Sequence, residues 1–149
     1  MFTFENYIVK EKFLLAYMDV AKRFSKLSSA ERLQVGAIAV KDDRIISIGF
    51  NGTPAGWDNC CEYEVIENGW TGLKTKPEVL HAEMNCLMKL AQSTESGEGA
   101  TMFITHAPCI ECAKGIYQAG IKKIYYHKEY RDVDGIEFLE KCGITVNRI

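Results

Sequence analysis

Apolar side chains at Leu14, Tyr17, Met18, Ala21 and Phe24 recur at helical spacing and predict an amphipathic helix over about residues 11–27. Its last turn carries Lys22, Arg23, Ser25 and Lys26. Two mostly apolar runs, 35–40 and 44–50, flank Asp42-Asp43 and predict buried strands joined as a hairpin. From 51 to 77 no period is visible, and Gly52, Pro54 and Gly56 crowd its start, so this stretch reads as a long, functional loop region. Beyond it, Met84, Leu87, Met88 and Ala91 mark a helix over 81–92. A strand at 101–105 follows, then a helix opened by Pro108 and stopped by Gly120. A strand at 123–127, a helix at 135–142 and a strand at 143–146 complete the chain. After the first helix the order is β-β-α-β-α-β-α-β, which predicts an α/β fold with one mixed sheet and helices packed on its faces. No repeat, low-complexity tract or linker divides residues 1–149, which read as a single domain.

Composition narrows the partners. The 149 residues, 47% apolar and 26% charged, suffice for one globular core. A formal charge of −2 speaks against a broad basic face for polymeric nucleic acid, while leaving room for a small anion site. The early apolar run 13–18 is far shorter than the roughly 18 residues that span a bilayer, so no membrane partner is expected. The opening Met1 to Asn6 lacks the pattern of a secretory leader, which points to the cytoplasm. There the six cysteines, Cys60, Cys61, Cys86, Cys109, Cys112 and Cys142, stay reduced, and metal binding or catalysis becomes the question to ask of them.

Two of the predicted helices begin with metal-ligand residue types: His81-Ala82-Glu83 on one and Pro108-Cys109-Ile110-Glu111-Cys112 on the other. Cys109 and Cys112 share a helix face, and a helix N-terminus favours the thiolate that zinc requires. With His81 as a neutral nitrogen ligand, three protein ligands leave one tetrahedral position open, the arrangement of a catalytic zinc. Glu83 reaches the same site if that site lies off the N-terminal end of its helix. A carboxylate of pKa about 4.3 is mismatched to bulk water by roughly 11 units, on the order of 15 kcal/mol. Zinc that brings water near pKa 7 cuts this to about 3 units, on the order of 4 kcal/mol, within reach of Glu83 as base and then acid.

H-x-E followed by P-C-x-x-C is the signature of the zinc deaminases of cytosine and adenine bases. The segments 21–26, 34–37, 49–56, 81–85 and 108–114 closely resemble deoxycytidylate deaminases, and Cys60-Cys61-Glu62-Tyr63 resembles their bacteriophage branch. The resemblance runs from about residue 13 to residue 146. It implies the three-layer cytidine-deaminase-like fold, with a five-stranded mixed sheet and helices on both faces. It also implies hydrolysis of dCMP to dUMP and ammonia, as a supply of precursor for thymidylate. Carried over, His81, Cys109 and Cys112 match the zinc ligands and Glu83 the proton shuttle. Some phage relatives hold a second, structural zinc in a longer insertion before H-A-E, but with no histidine between Glu62 and Leu80 one zinc ion per chain is expected here.

Asn51 matches a residue that helps hold the nucleotide, a backbone group of Ala82 reads the base, and Tyr126 matches an aromatic near it. The substrate phosphate needs cationic and hydroxyl donors, for which Arg23, Ser25 and Lys26 are the candidates, with Tyr130 adding a hydroxyl. The family is commonly oligomeric, often hexameric, with dCTP activating and dTTP inhibiting, and a triphosphate effector brings Mg2+. The loop with Asn51, Gly52, Thr53 and Trp57 is the expected effector contact, and Phe50 stands where the family usually has Tyr.

Two other readings remain open from the residues. One keeps the chemistry and changes the substrate to cytidine, a riboflavin precursor or tRNA adenosine. The other is a non-enzymatic zinc module in which Cys60 or Cys61 fills the fourth position.

Overall fold

The computed structural model describes residues 10–149, so the opening Met1 to Asn6 lies outside the described residues. A first helix, α1 (Glu11–Ser25), leads into the hairpin of β1 (Gly36–Lys41) and β2 (Arg44–Phe50). Next come β3 (Glu62–Glu67), β4 (Trp70–Thr75) and α2 (Ala82–Ala91). β5 (Thr101–His106), α3 (Ile110–Gln118), β6 (Lys123–Lys128), α4 (Asp134–Lys141) and β7 (Thr145–Arg148) complete the order. The main sheet runs β2-β1-β5-β6-β7. β1 is antiparallel to both β2 and β5, whereas β5, β6 and β7 are mutually parallel.

The alternation of side chains along the strands sorts the core into two layers. Ile38 and Val40 of β1, Phe103 of β5 and Tyr125 of β6 point to one face, where Met18 and Ala21 of α1 cover them. Phe103 stacks on Tyr125 with ring centroids 5.1 Å apart and meets Tyr17 of α1 at 5.3 Å. Ala37, Ala39, Met102, Ile104 and Ile124 point to the opposite face, against Cys86, Leu87 and Leu90 of α2, Ala113 and Ile116 of α3 and Leu139 of α4. The result is the expected three-layer arrangement with helices on both faces. No helix among the described residues is long and apolar enough to cross a membrane.

The small residues of β1 and β2 let helices approach the sheet closely. A Cβ on Gly49 would collide with the Ala82 carbonyl and lie 2.5 Å from the Cys86 amide, so the bare backbone of β2 seats the first turn of α2. The buried Ser47 hydroxyl, also on β2, donates to the Cys86 carbonyl at 2.7 Å.

The structure corrects the sequence reading in three places. The stretch 51–77 is not all loop: β3 and β4 form a two-stranded hairpin inside it, paired from Glu62 with Thr75 to Glu67 with Trp70. Asn68 and Gly69 turn it with positive φ of 49° and 78°, the left-handed pair a tight type I′ connection requires. Pro108 precedes α3 instead of opening it, because Cys109 keeps extended backbone angles and caps the helix. The last strand starts at Thr145, since Gly143 at φ 82° and the bond from the Ile144 amide to the Leu139 carbonyl still belong to the end of α4.

Candidate active site

The α2 and α3 helices are each entered through an extended capping residue, and each of those residues is a metal-ligand type. His81 caps α2 with φ −71° and ψ 156°, and Cys109 caps α3 with φ −72° and ψ 166°. Neither side chain bonds an amide of its own helix. They turn toward each other: His81 Nδ1 lies 3.5 Å from Cys109 Sγ and 3.3 Å from Cys112 Sγ, the latter one turn into α3. The three ligand atoms all lie within 4.8 Å of one another. Zn–S bonds near 2.3 Å and Zn–N bonds near 2.0–2.1 Å in a tetrahedron give N···S edges of about 3.5 Å, so the donor set fits zinc in kind and in spacing.

Hydrogen bonding within the cluster couples the ionisation of the three donors. Hydrogen bonds from the Cys112 thiol and from His81 pull the Cys109 thiol down to about 3, so this sulfur is a thiolate at neutral pH. The bond to Cys109 raises the pKa of His81. The hydrogen bond with Cys109 and burial both raise that of Cys112. Neither Cys60 nor Cys61 belongs to the cluster; the Cys60 thiol donates to the Glu62 carbonyl at 3.2 Å, and Cys61 Sγ lies 3.6 Å from Ser29 Oγ. Cys86 lies in the core, where burial pushes its thiol up to about 11.

Glu83 sits in the first turn of α2 and is only 4% exposed. Burial pushes its carboxyl up to about 6, against smaller opposing effects of a backbone hydrogen bond and His81. A carboxyl near neutrality can both take and give a proton at physiological pH.

These groups open into a cavity of about 650 Å³ lined by His81, Ala82, Glu83 and Cys109. It lies at the carboxyl ends of β5 and β6, beside the start of β1 and the end of β2, where the sheet changes from parallel to antiparallel. Open α/β sheets hold ligands outside the carboxyl ends of their parallel strands. Asn51 lines the cavity, but its amide also bridges the backbone: Oδ1 accepts from the Val35 amide and Nδ2 donates to the Leu33 carbonyl, each at 2.8 Å.

Tyr130 lines the cavity as well, whereas Tyr126 does not, being buried with its hydroxyl donating to Glu129 at 3.3 Å. The structure places Arg23, Ser25 and Lys26 away from the cavity lining. Arg23 and Lys26 are exposed near the end of α1, and the Ser25 hydroxyl donates to the Lys22 carbonyl at 2.6 Å. The cations that do line it are Arg32, Lys128 and Arg131, with the Arg131 guanidinium 5.6 Å from the Tyr130 ring centroid. Gly52, Thr53 and Trp57 are not among its lining residues. Gly52 exchanges backbone hydrogen bonds with Leu80, the Thr53 hydroxyl donates to the Asp58 carbonyl, and Trp57 is 60% exposed.

Residues 11–128 match the cytidine and deoxycytidylate deaminase zinc-binding region. The chain belongs to that family. Among solved structures, this deaminase is similar to the dCMP deaminase of cyanophage S-TIM5, crystallised with dCMP and dUMP, at 46% identity and a TM-score of 0.86. That similarity covers 95% of this chain and 100% of the other. The deoxycytidylate deaminase of Enterobacteria phage T4 is 34% identical over 166 aligned positions, covering 87% of this chain and 86% of the relative. ComE operon protein 2 of Bacillus subtilis is 37% identical over 123 residues, a match that spans 82% of this chain and 63% of that relative's length. The chain is thus an enzyme of the zinc-dependent hydrolytic deaminase class, and His81, Cys109 and Cys112 form a cluster whose spacing fits a metal ion.

Arg32, His106, Lys128 and Arg131 line the deaminase cavity without having stood out in the sequence, and Glu62, quoted there only within the C-C-E-Y segment, lines it too. Lys128 and Arg131 flank Tyr130, and this pairing of an aromatic with cations was the one available signal. Arg32 lies between α1 and β1, where no period draws the eye.

Proposed function

We propose that this deaminase hydrolyses dCMP to dUMP and ammonia, supplying dUMP for thymidylate synthesis. The observation that carries the reading is that one cavity joins a His-Cys-Cys donor set and a buried carboxylic acid to three cationic side chains. The first part suits deamination and the second suits a phosphate dianion. The dCMP and dUMP bound to the S-TIM5 relative and the deoxycytidylate activity named for the T4 relative support the same substrate.

His81, Cys109 and Cys112 would hold the zinc, whose Lewis acidity brings water close to ionisation at neutral pH. Glu83 takes the proton from the attacking water and delivers it to ring N3 as oxygen bonds to C4. The same carboxyl then helps the C4 amino group leave as ammonia, so that water and dCMP are consumed and dUMP and ammonia formed. Burial of Glu83 keeps this proton from exchanging with bulk water. The Ala82 amide, in the first turn of α2, has no helical acceptor and offers a donor to the base carbonyl. Asn51 holds the wall beside the sugar, and Tyr130 with Arg32, Lys128 and Arg131 receives the phosphate.

Ammonia release from dCMP, deoxycytidine and an RNA hairpin tests the substrate. The wild-type enzyme is expected to prefer dCMP. Arg131→Ala is expected to lower kcat/KM for dCMP by about tenfold, the size of one charge-assisted hydrogen bond, and to leave deoxycytidine unchanged. Arg23→Ala is expected to alter neither substrate; an equal loss on both from Arg131→Ala would refute the phosphate role.

The same reading includes regulation. The loop of Asn51, Gly52, Thr53 and Trp57 is a nucleotide effector site in a homo-oligomer, with a hexamer favoured. Support comes from the position of Gly52, Thr53 and Trp57 outside the substrate cavity and from the exposed indole, a stacking surface for a base. dCTP with Mg2+ is expected to lower, and dTTP to raise, the dCMP concentration needed for half-maximal rate in steady-state assays.

A further inference from the structure

The C-C-E-Y segment has no part in the chemistry above, yet its acidic residue is one of the few buried charged side chains. Glu62 opens β3 and is 8% exposed. Both of its identified hydrogen bonds arrive at Oε1, from the backbone amides of Glu31 at 3.0 Å and Arg32 at 3.2 Å. Its partner across the hairpin is Thr75, whose hydroxyl accepts from Arg32 Nη1 at 3.3 Å. The base of the hairpin is closed by the bond from the Lys76 amide to the Cys61 carbonyl at 2.9 Å. Arg32, Glu62 and Thr75 all line the substrate cavity.

The rest of the hairpin stands apart. β3 and β4 pack chiefly on each other, and Tyr63, Ile66 and Trp70 are 42%, 74% and 57% exposed. A carboxylate taken out of water at its base costs free energy unless its bonds compensate. Here those bonds fix the backbone leading into one cation, Arg32. Charge alone would work the other way, since a carboxylate in the wall of an anion pocket repels a phosphate.

We infer that Glu62, seconded by Thr75, is a positioning residue that holds Arg32 in the cavity wall and so sets selectivity for the phosphorylated substrate. The inference rests on the dCMP reading above and deepens it. Glu62 touches no reacting atom. It fixes the backbone amide of Arg32, while Thr75 holds the guanidinium end, and the arginine reaches the phosphate already ordered.

Steady-state kinetics on dCMP and deoxycytidine, with zinc content measured alongside, tests this with Glu62→Leu, Glu62→Gln, Thr75→Val and Arg32→Ala. Glu62→Leu removes charge and acceptor together. It is expected to raise KM for dCMP about tenfold with kcat and zinc content unchanged, and to leave deoxycytidine turnover as in the wild type. Glu62→Gln keeps an acceptor for both amides and removes the repulsion, so its KM is expected at or below the wild-type value. Glu62→Leu combined with Arg32→Ala is expected to be no worse than Arg32→Ala alone.

A KM for Glu62→Leu at or below wild type would overturn the inference, as would an equal loss on deoxycytidine or multiplying effects in the double variant. If Glu62→Leu fails to fold, Thr75→Val decides: a KM rise confined to dCMP supports the positioning role, and an unchanged KM overturns it. A wild-type enzyme with no preference for dCMP over deoxycytidine would overturn the substrate reading and this inference together. A wild-type preference that survives every Glu62 and Thr75 substitution overturns the inference alone.

Discussion

Glu83→Gln is expected to bind one zinc per chain and to deaminate dCMP about 10²- to 10⁴-fold more slowly than the wild type, the range for loss of a positioned acid and base. The substitution keeps the shape of the side chain and its ability to hydrogen-bond, and it removes only the proton-carrying function. Glu83 lies outside the His81, Cys109 and Cys112 donor set, so metal content should be unchanged. At 4% exposure the site leaves little room for a water molecule to replace the carboxyl. Burial already raises the cost of ionising Glu83, so the amide should be as stable as the acid or more so, with an unchanged or higher Tm. Ammonia release, elemental analysis and thermal unfolding on one preparation read all three. A loss below tenfold, or a variant without zinc, would refute the assignment.

Stripping the metal with a chelator is expected to abolish deamination while leaving the far-ultraviolet dichroism of the folded protein in place, and one equivalent of zinc per chain should restore activity. Small zinc modules unfold on chelation because binding on the order of 10–16 kcal/mol is also their folding energy. Here two apolar layers are buried without any help from the donor set: Phe103, Met18 and Ile38 on one face, Met102, Ile104, Ile116 and Leu139 on the other. Collapse of the dichroism on chelation would favour the structural-module reading over the catalytic one.

The layers were legible because strand and helix periods are dictated by burial. Ile38, Val40 and Phe103 had to fall on one side of their strands once Met18 and Ala21 were given as the stripe of α1. The cluster of His81, Cys109 and Cys112 was legible because these residue types are chemically rare in that spacing. The β3–β4 hairpin was missed although Asn68-Gly69 between β-branched and aromatic residues signals a tight turn. Gly52, Pro54 and Gly56 just before it drew the whole stretch into a loop reading, and the adjacent Val65 and Ile66 cut short the alternation that Glu62, Tyr63, Glu64 and Val65 begin. The cations of the cavity wall were missed for a different reason. Arg23 and Lys26 stand out at the basic end of α1 but do not line the cavity, whereas Arg32 and, far from it along the chain, Lys128 and Arg131 are brought to it by a fold that no local pattern encodes.

His81 and Cys109 stand where a helix ordinarily keeps a serine, threonine or aspartate to tie down its first amides, and both side chains are turned elsewhere. A zinc ion held by those two side chains would anchor the opening turns of two helices at once. Its loss is therefore felt as local fraying at residues 82–85 and 110–113, visible as faster amide hydrogen exchange there, while the strands behind keep their protection.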